Sequence, residues 1–558
     1  MQLEFGRGRR LWNTVGLCAL LLLSSVGARA EEAALQQYLR ARLESLEVFK
    51  SLRIDGVELA AKALLPQVYE AAQFQPLWTN PRQVDELLRA IEDMRLDGLD
   101  PEDYHLERLN RLRGELQAAP DAVGTLDLDL LMTDALVRVA YHAHYGKVDP
   151  EQLDDTWNLR KEWQGKRGAD AVLDLLRSPS LHAAIESLKP QPPMYRKLRD
   201  ALAQYRAYEA AGGWEMIPAG PTPDLGESDP RIPAVRRRLA ISEDLPKNLD
   251  NGDQAFDEPL RLALERFQAR HALASGKLDA KTIFSMNLPP KVWIDQLRVN
   301  LERARWILPV NDPTFVVVNI AAFEIYFVKD GKREWNQAVQ VGREFAKTPL
   351  FRDEIQYFVL NPSWTVPPSM LAETFLPQAQ KDPKYLRERG LRVYDRNGRE
   401  VAPESVNWRK YQAQNLPYRL TQSPGAENAL GAIKFMFPNQ YYVYLHDTPN
   451  QAGFDERTRT TSGGCIRVKD PLRLAEYLVA GSRWTRAAID AQVKSGKTET
   501  VYLTKPVPVY LLYWTAEVTQ DGVLRFHSDV YDRDRSVLAA LNEAPRSPSK
   551  SRRGAPGP

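Results

Sequence analysis

The apolar pattern of this chain changes period once, and that change limits the folds open to it. Up to residue 289 apolar residues recur mainly at helical spacing, while from residue 314 they gather in short β-branched runs. A pattern written for one period cannot hold a common apolar face in the other. The 558 residues are therefore expected to form separate helical and β-rich units, a multidomain α+β chain.

The helical part divides in two. Residues 31–220 carry segments at 34–46, 84–96 and 128–144, with a turn at Gly98-Leu99-Asp100-Pro101. His142 and His144 are two apart, so a helix puts them on different faces and they do not suggest a metal site. A linker rich in glycine and proline follows at 211–228. Residues 229–289 then read as three short helices. Ile232, Val235, Leu239 and Ile241 lie on the first, Pro259 opens the second with Leu260, Leu264 and Phe267, and the last runs from Ala280 to Met286.

Strands are expected at 315–320, 324–328, 335–341, 355–360, 433–437 and 441–445, then at Tyr502 and 507–514. Asp330-Gly331 marks a hairpin turn between the second and third. Such a set folds as a sandwich or barrel over about 312–515. Residues 371–422, rich in charge, interrupt it as an insertion long enough to serve as a lid. The tail 542–558 is rich in Pro, Ser and Arg and reads as disordered.

The first 30 residues read as an export signal. Arg7, Arg9 and Arg10 precede an apolar run from Leu11 to Val26, and Ala28-Arg29-Ala30 supplies a cleavage site. The expected location is the periplasm, with an inner-membrane anchor as the outcome if the segment stays uncleaved. A net charge of +2, without a basic stripe interleaved with aromatics, gives no reason to expect nucleic acid as a partner.

The chain has two cysteines, Cys18 and Cys465, and cleavage after Ala30 would leave only Cys465. An exported chain with one thiol forms no internal disulfide. The surroundings of Cys465 suggest chemistry. His446 closes a strand, and after fifteen intervening residues comes Ser462-Gly463-Gly464-Cys465-Ile466-Arg467. A thiolate is the nucleophile in cysteine acyl transfer, and a nearby imidazole would lower the thiol pKa as an ion pair. Gly463 and Gly464 give the backbone freedom to turn N–H groups toward an oxyanion, and the amides of Gly464 and Cys465 are the candidates. Ser462 and Arg467 are candidate supports, and Arg467 is placed to raise the local positive potential or to bind a carboxylate. His446 needs an acceptor such as a backbone carbonyl to orient it. Tyr442, Tyr444 and Trp364 are candidate substrate walls. Neither Cys465 nor His446 has a further Cys or His nearby in sequence, so no metal or other cofactor is expected.

The stretch from His446 to Cys465 resembles the signature of the L,D-transpeptidases with a YkuD-type catalytic domain: histidine, a loop, then Ser/Thr-x-Gly-Cys. Gly463 stands where many members carry a second histidine. The resemblance extends to Thr348-Pro349-Leu350-Phe351, to Asn361–Ser369 and to Pro424–Gly431 with Lys434-Phe435. These look like the large Gram-negative branch. That branch implies a helical scaffold domain (31–220), a three-helix peptidoglycan-binding domain (229–289) and a β-rich catalytic domain (312–515) with a capping insertion (371–422). The peptidoglycan-binding likeness rests on Phe267-Gln268, Thr282 and Asn287-Leu288, the last pair in reversed order.

The family implies that Cys465 attacks a tetrapeptide stem of peptidoglycan at the L-centre of diaminopimelate. D-Ala leaves, protonated by His446, and a diaminopimelate amine of a second stem takes the acyl group as a 3→3 cross-link. It also implies acylation by carbapenems, and glycan-strand synthases as partners. Water, a free D-amino acid or a protein lysine are alternative acceptors, and a non-catalytic wall-binding scaffold is the alternative to an enzyme.

Overall fold

The computed structural model describes residues 33–46, 48–159, 161 and 167–544. The segment read as an export signal, with Cys18, and the tail from 545 onward lie outside the described residues. Among the described residues no helix is long and apolar enough to cross a membrane.

The helical part starts with a helix over residues 33–46. Its main later helices are α1 (Pro81–Asp93), α2 (Ala122–Tyr145) and α3 (Pro193–Ala210). Local chemistry sets the starts: Asn80 and Asp121 accept from the first free amides of α1 and α2, and Pro81 occupies the first turn. Gly98 takes the left-handed conformation at φ 79°, as the expected turn requires.

Three helices follow, α4 (Ile232–Ile241), α5 (Glu258–Arg270) and α6 (Ala280–Asn287). Asp257 and Asp279 cap the last two. Leu239, Leu260, Leu264, Phe267 and Met286 form a core of their own. The preceding linker is more fixed than its composition suggests. Ile217 is buried in that core, and the Arg238 guanidinium lies 3.6 Å from the Trp214 ring centroid.

The next helix, α7 (Pro290–Ile307), joins the helical part to the β-rich part. It packs in the same core as α1–α3, and the outer faces of two barrel strands reach that core through Val317, Tyr510 and Leu512. Arg305 and Glu302 of α7 are wholly buried as a pair. Arg305 also donates to the Asp97 carbonyl and to the Tyr195 hydroxyl, each at 2.9 Å. A buried pair satisfied on both sides favours one orientation of the two units.

Four strands open the β-rich part: β1 (Thr314–Asn319), β2 (Glu324–Lys329), β3 (Lys332–Gly342) and β4 (Phe351–Leu360). Asp330 and Gly331 both have positive φ, the hairpin geometry their sequence predicts. The chain then leaves for an inserted unit with its own sheet, β5 (Trp364–Thr365), β6 (Leu391–Tyr394), β7 (Glu400–Val401) and β8 (Arg419–Gln422), in the order β5-β8-β6-β7. Its core runs from Trp364 to Leu430, wider at both ends than 371–422.

The chain returns as β9 (Ile433–Met436), β10 (Leu445–His446), β11 (Thr460–Ser462), β12 (Ile466–Val468) and β13 (Glu499–Leu512). The main sheet has the order β11-β3-β12-β10-β9-β4-β13-β1-β2, and β2 also pairs with β3. That last pairing closes the sheet on itself around a core including Val339, Phe358, Phe435, Leu445 and Ile466.

Three expectations change. The strand predicted at 441–445 shrinks to Leu445–His446, because Tyr442 sits at φ 55° and breaks the extended run. The two predicted C-terminal strands are one, β13. Its pairing with β4 shifts register between Tyr502 and Val507, where Pro506 and Pro508 supply no N–H. Asn542, placed at the start of the tail, instead ends the helix Asp534–Asn542 and accepts from Arg298 at 3.0 Å.

Candidate active site

Two short parallel strands create the site. Leu445 of β10 pairs with Ile466 of β12, and both point into the barrel core. Alternation then sends Tyr444, His446, Cys465 and Arg467 to the opposite face. His446 lies beside Arg467 in register, and Cys465 falls next to Tyr444, one step back and diagonal to His446.

Each of the four is held differently. The Nδ1 of His446 lies 2.5 Å from the Asp447 carbonyl. A carbonyl only accepts, so Nδ1 carries the hydrogen and Nε2 presents a lone pair. The expected orienting acceptor is thus a backbone carbonyl on the adjacent residue. The Cys465 thiol donates to the Tyr442 carbonyl at 3.7 Å and is hydrogen-bonded by the Tyr444 hydroxyl. The rings of Tyr444 and His446 are 5.6 Å apart. Arg467 donates from Nη1 to Gln340 at 3.1 Å, while its Nε is buried without a partner.

The loop before the cysteine is braced from two sides. Ser462 donates to the Cys465 carbonyl at 2.5 Å and accepts from the Gly464 amide at 3.1 Å. The hydroxyl of Thr348, fully buried, donates to the Gly464 carbonyl and accepts from the Gly342 amide, both at 2.9 Å. Gly464 has φ 117°, a conformation that side chains rarely adopt.

Burial dominates the electrostatics. It holds His446 down at about 3, helped by Arg467 and Lys434 and opposed by the Asp447 carbonyl. It pushes the Cys465 thiol up, against the lowering contacts of Tyr444 and Arg467. Burial thus favours the neutral form of each group, whereas the residue types alone suggest an ion pair.

The candidates sort clearly. Cys465, His446, Tyr444 and Arg467 share one face, and Ser462 braces the loop that carries the nucleophile. The Gly464 amide is committed to Ser462, so it is not free to meet an oxyanion. Among the described residues the amides of Gly463 and Cys465 have no intramolecular partner. Gly463 has open space around it and needs no positive φ, so sterics do not demand a glycine there. Trp364 is buried in the core of the inserted unit, edge-on to Phe375, and is no wall of the site. Tyr442 is 85% exposed and free to meet a ligand. Thr348, Asp447 and Lys434 escaped the sequence reading as site residues. Lys434 could have been found by alternation, since Ile433 and Phe435 on either side are core residues. Among the described residues the one grouping able to hold a metal, Asp93 with His182 and Glu186, lies in the helical part, and Lys189 and Arg199 already pair with Glu186.

Residues 313–494 match the L,D-transpeptidase catalytic domain family, YkuD, and residues 63–202 match the scaffold domain family. A protein of Haemophilus influenzae named "Putative L,D-transpeptidase" is 26% identical over 486 residues, covering 87% of this chain and 81% of that protein. Similar solved structures include an L,D-transpeptidase from Mycobacterium smegmatis (14% identical, 36% of this chain, 58% of that chain, TM-score 0.19). Another is an L,D-transpeptidase from Stackebrandtia nassauensis (14% identical, 53% of this chain, 97% of that chain, TM-score 0.20).

Proposed function

We propose, from the matches of residues 313–494 to the L,D-transpeptidase catalytic domain family and of 63–202 to the scaffold domain family, that this chain is an L,D-transpeptidase that cross-links peptidoglycan stems 3→3 through a thioacyl-enzyme on Cys465. The observation that carries the reading is the shared face of β10 and β12. There His446, with Nε2 unprotonated, stands diagonal to the thiol of Cys465.

The steps follow from that face. Nε2 of His446 takes the thiol proton as Sγ bonds to the L-centre carbonyl carbon of diaminopimelate in a tetrapeptide donor. The carbonyl oxygen takes the negative charge and meets the Cys465 amide, with the Gly463 amide beside it. The C–N bond breaks, the imidazolium gives its proton to the departing D-Ala amine, and a thioester remains. A diaminopimelate amine of a second stem then attacks, passes a proton through His446, and releases the thiol. Arg467 supplies positive charge beside the sulfur. The exposed ring of Tyr442 lines the entry, and the inserted unit shapes the acceptor side.

The three-helix unit at 229–289 serves in this reading as a peptidoglycan-binding domain. The expected setting is the periplasm, with glycan-strand synthases nearby. The test is the intact mass of the mature chain after incubation with a carbapenem and, separately, with a tetrapeptide stem. An adduct that is absent in Cys465→Ala and much slower in His446→Ala supports the acyl-enzyme. No adduct on folded wild-type protein refutes it and favours a wall-binding scaffold. A thioacyl-enzyme that yields only tripeptide, D-amino-acid exchange or protein-linked product reassigns the acceptor.

A further inference from the structure

A row of side chains crosses the sheet through the candidate base. Lys434 of β9 pairs in register with His446 of β10, His446 with Arg467 of β12, and Arg467 with Gln340 of β3. Partners in register point to the same face. Ile433 and Phe435 face the core, so Lys434 lies on the side of the catalytic candidates. The imidazole is therefore flanked by a cation on each side.

These cations lack counter-charges from the protein. Among the described residues no ion pair joins Lys434, Arg467 or Arg343 to a carboxylate. Burial disfavours the charged form of Lys434 with no acid opposing it, and the charges felt by Arg467 are those of Arg343 and Cys465. Asp447, the acid next to His446 in sequence, turns its carboxyl to the Ala432 amide at 2.8 Å and toward Gln451. Arg343 adds a third cation at the exposed rim, held by its Nε on the Thr461 carbonyl at 3.1 Å. Half-buried cations left unpaired by the fold suit an anionic ligand.

We propose that Lys434, acting with Arg467, binds the terminal carboxylate of the donor peptide and makes a C-terminal free acid the specificity determinant of the leaving group. This rests on the transpeptidase reading above. The chemistry locates the anion: the leaving amine must reach His446 to take its proton, and in an amino acid the carboxylate is on the carbon next to that amine. A cation beside His446 is thus where the leaving group's charge arrives. Lys434 is a binding and positioning residue, and the proton steps stay with His446.

The experiment compares two tetrapeptide donors with the full mature chain, one ending in D-Ala and one in D-alaninamide. Thioacyl-enzyme formation is followed by intact mass, and kcat/KM by release of the terminal residue. The wild type is expected to prefer the acid at least tenfold. Lys434→Gln is expected to shrink that acid-to-amide ratio about tenfold, mainly through KM, and Lys434→Arg to restore most of it. A wild-type ratio near one overturns the proposal whatever the variants do. So does a Lys434→Gln that slows both donors by one factor, or neither. No thioacyl-enzyme from either donor removes the transpeptidase reading itself, and the carboxylate site with it.

Discussion

Alkylation of Cys465 by iodoacetamide should rise about tenfold per pH unit from pH 6 to 8, with no plateau on the acid side. The reason lies in the burial of the pair. An imidazolium–thiolate pair would react at a constant rate between its two pKa values. Here His446 is held at about 3, so it is neutral throughout that range, and the thiol is pushed above its usual value. A raised pKa on an acid that becomes anionic means the reactive form appears only as pH climbs. A thiol at the ordinary value of about 8.5 is roughly 3% thiolate at pH 7. Each further unit divides that by about ten and costs about 1.4 kcal/mol. His446→Ala should leave the pH 7 alkylation rate within about threefold, since no ion pair is lost. It should slow acylation by a stem peptide about 100-fold or more, since a general base is lost. Tyr444→Phe removes a contact that lowers the thiol pKa, so its alkylation profile should move to higher pH. A wild-type rate flat from pH 5 to 8 that collapses in His446→Ala would refute the neutral pair.

Other outcomes follow from single contacts. Thr348→Val keeps the shape but strands the Gly464 carbonyl and the Gly342 amide. It should cost about 2–4 kcal/mol in the catalytic domain by denaturant melt and slow acylation, with Thr348→Ser retaining most of both. Gly431→Ala would put a Cβ 2.3 Å from Asp447 at φ 59°, disturbing the residue whose carbonyl orients His446. Acylation should fall about tenfold or more while iodoacetamide still reacts at the wild-type rate. Trp364→Ala should destabilise the inserted unit by about 3–5 kcal/mol, seen as faster hydrogen exchange across 364–430 with the barrel strands unchanged. Stability should fall as pH drops from about 6.5 toward 3. His142 and His446 are both held at about 3 when folded, and each takes up a proton more readily unfolded, at a cost of about 2 kcal/mol apiece by pH 5. Melting midpoints measured from pH 8 to 4 check the sign.

The period of the apolar residues was enough to separate helical from β-rich parts, because burial of one face dictates spacing whatever the partner. Turn chemistry was equally local: Asp330-Gly331 and Gly98 act through their own φ angles, and both turned where expected. Cys465 and His446 were legible as a pair of residue types at a telling spacing, and the fold sets them on one face of adjacent strands.

Residue types did not reveal how those side chains would be held. Residue types suggest an ion pair for Cys465 and His446, whereas desolvation, a property of packing, favours the neutral form of each. Gly464 looked like an oxyanion donor until Ser462, two residues away, took its amide. Trp364 resembled a substrate wall because a sequence shows an aromatic but not which of two cores it enters. Lys434, twelve residues before the histidine, stood out only as part of a family motif, and the antiparallel register of β9 and β10 is what puts it beside the imidazole. Spacing along the chain sets which residues share a face within one strand, whereas the pairing of strands sets which charges meet across the sheet.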